Sequence, residues 1–121
     1  MATITRFQDI QAWQKSRELV REVYKVCAEG RLNRDFGLRD QTCRAAVSSM
    51  SNIAEGFARK SDKDFARFLD MAKGSATEVQ SLLYVALDVG HIEQSDFARL
   101  LKLAEETASL ISGFTSYLRR P

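Results

Sequence analysis

Four long stretches of this chain repeat apolar or small residues every three to four positions, and short polar breaks separate them. That period is helical, because 3.6 residues per turn brings positions i, i+3, i+4 and i+7 onto one face. In the first stretch Ile10, Trp13, Val20, Tyr24 and Cys27 form the stripe, and Leu19, Val23 and Val26 widen it. Asp9 is the expected N-cap and Gly30 the expected stop. Arg17 interrupts the stripe and is expected to snorkel or to pair across an interface. Residues 31–36 read as a polar connection. Gly37 then opens a second helix with a different face: Thr42, Ala45, Ala46, Ser49, Ile53 and Gly56. Small residues at helical spacing let another backbone come close, so this helix is expected to be central and covered on more than one side.

Ser61 and Asp64 have the spacing of a capping box and start a third helix. Its stripe runs from Phe65 and Phe68 through Leu69, Ala72, Ala76, Val79, Leu82, Leu83 and Ala86 to Val89, with Gly90 as its stop. Gly74, inside this run, is expected to mark a close crossing. Ser95 is the expected cap of a fourth helix, lined by Phe97, Leu100, Leu101, Ala104, Ala108, Ile111, Phe114 and Leu118. A single proline, Pro121, and six glycines are too little punctuation for a fold of many short strands. The pattern predicts an all-α chain: one domain over 1–121, an antiparallel up-down-up-down four-helix bundle with helices near 9–29, 38–59, 62–89 and 95–119.

Chemistry is constrained mostly by what is missing. The one histidine, His91, falls in a predicted loop, so the Glu-x-x-His pairs of a di-iron bundle are not available. Cys27 and Cys43 make neither a zinc pattern nor a disulfide framework and read as buried thiols. No Gly-rich phosphate loop is present, so no metal, no cofactor and no enzymatic activity are expected. No apolar run reaches the ~20 residues of a membrane span. Met1 to Gln14 lacks the apolar core of a signal peptide, and a cytoplasmic location is expected.

The net charge is only +2, but it is uneven. Residues 1–60 carry 11 Lys/Arg against 7 Asp/Glu, and residues 61–121 carry 7 against 9. A basic surface on the N-terminal half could meet phosphates or an acidic protein; the alternative is solvated helix faces. The second helix also carries a polar set, Gln41, Arg44, Asn52, Glu55 and Arg59, with Glu78 and Arg67 on the third helix as candidate partners. As structure, this set is a satisfied network that fixes register or a subunit contact. As function, it is a ligand or nucleic-acid site, or a carboxylate pair of Glu55 with Glu78.

Phe36-Gly37-Leu38, Gln41, Arg44-Ala45-Ala46-Val47-Ser48, Asn52-Ile53-Ala54-Glu55-Gly56-Phe57 and Arg59 together resemble the signature of the bacterial four-helix bundle proteins encoded in intervening sequences of 23S ribosomal RNA genes. Trp13-Gln14-Lys15 and Tyr24 match the opening of that family. Phe65, Phe68-Leu69, Ala72, Gly74-Ser75 and Glu78 match its third helix. The likeness runs from about Phe7 to Gly90, with the fourth helix carried by pattern. Ser49-Met50-Ser51 departs from it, since the family usually has a proline there. The resemblance implies a ring-like homopentamer of largely unassigned activity. A related branch, the accessory proteins of diversity-generating retroelements, is strongly basic and binds nucleic acid and a reverse transcriptase. The expectation is therefore a non-enzymatic oligomer that binds RNA or DNA, or a nucleoprotein partner, through Arg31, Arg34, Arg39, Arg59 and Lys60. The alternative is a pure protein-interaction scaffold.

Overall fold

The small-residue face of the second predicted helix is buried along its whole length. The computed structural model describes residues 3–121. A 3-10 turn at Phe7–Asp9 precedes five helices: α1 (Gln11–Cys27), α2 (Gly30–Arg34), α3 (Phe36–Phe57), α4 (Asp62–Asp88) and α5 (Gln94–Leu118). Among the described residues there is no strand. The all-helical expectation holds, with one α-helix and a 3-10 turn more than expected. Residues 31–36 are not only a connection, for the five-residue α2 forms there. Gly30, at φ +58°, turns the chain out of α1 in a conformation that glycine adopts without steric cost. Leu32 then buries completely, which draws the segment into a helical turn against the core.

The caps correct two expectations. Ile10, not Asp9, precedes α1, and Glu93, not Ser95, precedes α5; neither gives a side-chain cap. Ser61 caps α4 as expected, its hydroxyl accepting from the backbone N–H of Asp64 at 3.1 Å. A cap missed in the sequence is Asp35, whose carboxylate accepts from the N–H of Leu38 at 3.2 Å and starts α3.

α3 packs on α1 and α4, and α5 packs on the same two helices. Cross-helix partners give the directions. Along α3 and α4, Gln41 meets Glu78 and Ser48 meets Ser75. Glu22 of α1 pairs with Arg99 of α5, and Asp70 of α4 with Arg119 after α5. From Gln41–Glu78 to Ser48–Ser75 one number rises as the other falls, and the same holds from Asp70–Arg119 to the Tyr84–Phe97 ring contact, so α4 runs antiparallel to both α3 and α5.

All six residues of the expected α3 face are buried. Ala45 and Ala46 join Leu19, Val23, Leu83 and Leu100 in one apolar cluster. Ile53 joins Ile10, Trp13, Leu69 and Ile111 in a second. Each fully buried Leu or Ile in these clusters stabilises the fold by about 1.5–3 kcal/mol. Buried Thr107 and Thr115 return their hydroxyls to the carbonyls one turn back, at 2.8 Å each, so neither is left unpaired.

A Cβ on Gly56 would lie 2.7 Å from Phe68 Cβ and 2.8 Å from Phe65 Cδ1. The first of those atoms is fixed to the α4 backbone and cannot swing away. Gly74, by contrast, has open space beside it, so the close crossing expected there is absent. Gly56→Ala should therefore lower stability by about 1–3 kcal/mol in urea unfolding, whereas Gly74→Ala should be neutral or stabilising. Equal effects would contradict this account of the α3–α4 seam.

Candidate nucleic-acid interface

The five basic residues nominated from the sequence fall at opposite ends of α3, about 33 Å apart by its length. At the α3 N-terminal end Arg31 and Arg34, on α2, are exposed and make no ion pair within 4 Å among the described residues. Arg39 is engaged. It pairs with Asp40 at 2.9 Å, donates to the Asn33 carbonyl at 2.9 Å, and lies 4.8 Å over the Phe36 ring. At the other end Arg59 is held 4.5 Å over the Phe68 ring, with Asp64 at 4.0 Å. Lys60 has no ion-pair partner among the described residues and lines a cavity of about 320 Å³ with Phe57, Phe65, Phe114 and Tyr117.

The polar set divides. Gln41 donates to Glu78 at 3.2 Å across the α3–α4 seam. Asn52 donates to the carbonyl and hydroxyl of Ser48, at 2.9 and 3.0 Å, and Ser75 reaches the same hydroxyl from α4 at 2.9 Å. Arg44 and Glu55 stand exposed outside this network, and Arg67 pairs with Asp64 on its own helix instead. Glu55 lies about 21 Å farther along α3 than Gln41, the contact of Glu78. The two carboxylates therefore do not form a pair. Among the described residues no group of three or more His, Cys, Asp or Glu is placed to hold a metal ion.

What the sequence reading missed is aromatic. Among the described residues Phe36 and Tyr24 are the two most exposed large apolar side chains, at 64% and 51%. Tyr24 was expected in the α1 stripe. The buried line is Leu19, Val23 and Cys27, and this leaves Tyr24 one position off it, facing out. Tyr24 lines a cavity of about 380 Å³ with Asn33, Arg39, Arg44, Cys27 and Cys43. Phe36 lies against the same Arg39. The corner formed by the end of α1, α2 and the start of α3 thus presents two aromatic faces among four arginines, three of which have no ion-pair partner among the described residues.

Asp35 fixes this corner to the rest of the chain. While one carboxylate oxygen caps α3, the other lies 3.1 Å from His91 Nε2 in the α4–α5 turn. Gly90, at φ +75°, makes that turn. Elsewhere, Lys25 and then Arg99 hold the Glu22 carboxyl below its ordinary value. Burial raises both thiols, Cys27 up to about 12 and Cys43 by less.

The family model for the 23S rRNA-intervening sequence protein matches residues 8–113. The chain belongs to that family. The match extends past Gly90 into α5, which the sequence motifs alone did not reach. A solved structure of a protein of unknown function from the S23 ribosomal protein family, from Bacteroides thetaiotaomicron VPI-5482, aligns with TM-score 0.78 at 21% identity. The alignment covers 86% of this chain and 97% of that one. At that identity the likeness establishes a shared fold. No curated protein matches this intervening-sequence protein, and no helix among its described residues is long and apolar enough to cross a membrane.

The raised Cys27 thiol gives a signed pH dependence. Folding favours its neutral form, so its contribution to stability is whole below about pH 9 and is lost as pH rises towards about 12. Urea unfolding of Cys27→Ala should therefore show a shallower loss of stability across that alkaline window than the parent protein. Parallel curves would contradict the burial assigned to this thiol.

Proposed function

We propose that this intervening-sequence protein is a non-enzymatic, cytoplasmic oligomer that binds single-stranded or looped nucleic acid at the α1–α2–α3 corner. The observation that carries this reading is the placement of Phe36 and Tyr24, the most exposed large apolar side chains among the described residues, among Arg31, Arg34, Arg39 and Arg44. Water penalises bare aromatic faces, and unpaired bases stack on them at about 1–3 kcal/mol per base. Unpartnered guanidiniums supply the phosphate contacts, with affinity that depends on salt. Stacking needs a base freed from its helix, which favours loops and single strands over a duplex. Arg59 and Lys60, at the far end, make a second and weaker contact region, since Arg59 is already engaged by Asp64 and Phe68. The separation of Glu55 from Glu78 supports the non-enzymatic part of the reading.

The four long helices are proposed to act as one antiparallel bundle that assembles into a ring-like homopentamer, as the family resemblance implies. The apolar side chains that α4 leaves exposed on one side, Met71 and Val85, support a covered outer face. The same side chains support the second reading, a protein-interaction scaffold without nucleic-acid binding. A closed ring would repeat the basic corner at regular intervals and turn weak single sites into avid binding.

A salt titration against labelled single-stranded RNA separates the two readings. The parent protein should bind with a steep negative dependence on salt. Arg31→Glu with Arg34→Glu should weaken binding at least ~10-fold at ~50 mM salt and flatten the slope by about 2. Phe36→Ala should weaken binding with the slope kept. A folded double variant that binds as the parent does would remove the corner as the interface. No binding by the parent at low salt would favour the scaffold.

A further inference from the structure

Both cysteines of the chain line the same cavity at the corner just described. Cys27 is the last residue of α1, and Cys43 lies in the third turn of α3. They are sixteen positions apart, with α2 folded between them. A helical side chain leans towards the N-terminal turn of its own helix. The Cys43 sulfur therefore covers the turn that begins at Arg39. The Cys27 sulfur lies over that same turn, 4.0 Å from the Arg39 carbonyl oxygen. Cys43 packs against the apolar cluster that contains Cys27. Both are free; Cys27 is buried and Cys43 is half-buried at the cavity wall.

We propose that Cys27 and Cys43 are a modification site: a dithiol that closes to a reversible intramolecular disulfide by exchange with a small soluble disulfide entering this cavity. Cys43, the accessible member, loses its proton to water, and its thiolate attacks one sulfur of the external R–S–S–R. That S–S bond breaks, and R–S⁻ leaves and takes up a proton. Cys27 then loses its proton and attacks the Cys43 sulfur of the mixed disulfide, expelling the second R–S⁻, which is protonated in turn. The two protein thiols give up two electrons and two protons, and the external disulfide becomes two thiols. Burial keeps both thiols protonated at neutral pH, so the exchange is slow there and quickens as pH rises.

The bridge would tie the end of α1 to α3 and close the loop that carries Arg31, Arg34, Phe36 and Arg39. This inference does not rest on nucleic-acid binding, and it stands or falls on the chemistry of the two sulfurs.

The test is to incubate the folded protein at about pH 8.5 with excess oxidised glutathione, alkylate the remaining thiols in denaturant, and read the intact mass and a peptide map. The expected product is a single chain lighter by two hydrogens, with no alkyl group and with residues 27 and 43 in one cross-linked peptide. Cys27→Ser should instead stop at the mixed disulfide on Cys43, and Cys43→Ser should gain glutathione at least ~10-fold more slowly, since its remaining thiol is the buried one. Two alkylated thiols in the parent protein, a persistent mixed disulfide in it, or a bridge between two chains would each overturn the proposal.

Discussion

The close approach of α3 to α4 at Gly56 is the constraint on which the rest of the structure depends. Phe65 and Phe68 press against a position where no Cβ fits. Up the same seam, small side chains let the helices stay close enough for Ser75 to reach Ser48 and for Gln41 to reach Glu78. Bulky residues would hold these backbones apart, and the serine-to-serine bond of 2.9 Å would be lost. With α4 held on one side and α1 on the other, α3 feeds both apolar clusters, through Ala45 and Ala46 in one and Ile53 in the other.

That rigid axis also sets the surface chemistry. The α3 N-terminus is pinned by Asp35, which caps the helix and meets His91 from the opposite turn. Phe36 and Arg39 therefore leave the helix from a fixed start, and α2 is held beside them by the burial of Leu32. The corner is preorganised in its backbone, and Arg31, Arg34 and Arg44 stand exposed on it. A surface of this kind suits a flexible polyanion, because little backbone ordering is needed on binding.

Much of the fold was legible because it is periodic. The α3 face was read residue for residue, and most of the α4 stripe with it, since both are continuous patterns of small or large residues at helical spacing. Caps were less legible: Ser61 formed its bond, while Asp9 and Ser95 lie beside helices that start a residue or two away from where their side chains would serve. The short α2 was hidden because five polar-rich residues carry no period, and only Leu32 signals it. The corner was half visible. Its arginines stood out as charges, but Tyr24 looked like core until the Leu19, Val23 and Cys27 line showed it to be off the stripe. The meeting of Cys27 with Cys43 could not be read from spacing at all, because it depends on how Gly30 and α2 fold the chain back.

Amide hydrogen exchange with and without a single-stranded RNA, at low salt, tests the central claim most directly. The account predicts that binding slows exchange across residues 24–44, from the end of α1 through α2 into α3, and leaves the middle of α5 unchanged. Slowing centred on α5, or no change in residues 24–44 on saturation with RNA, would contradict it.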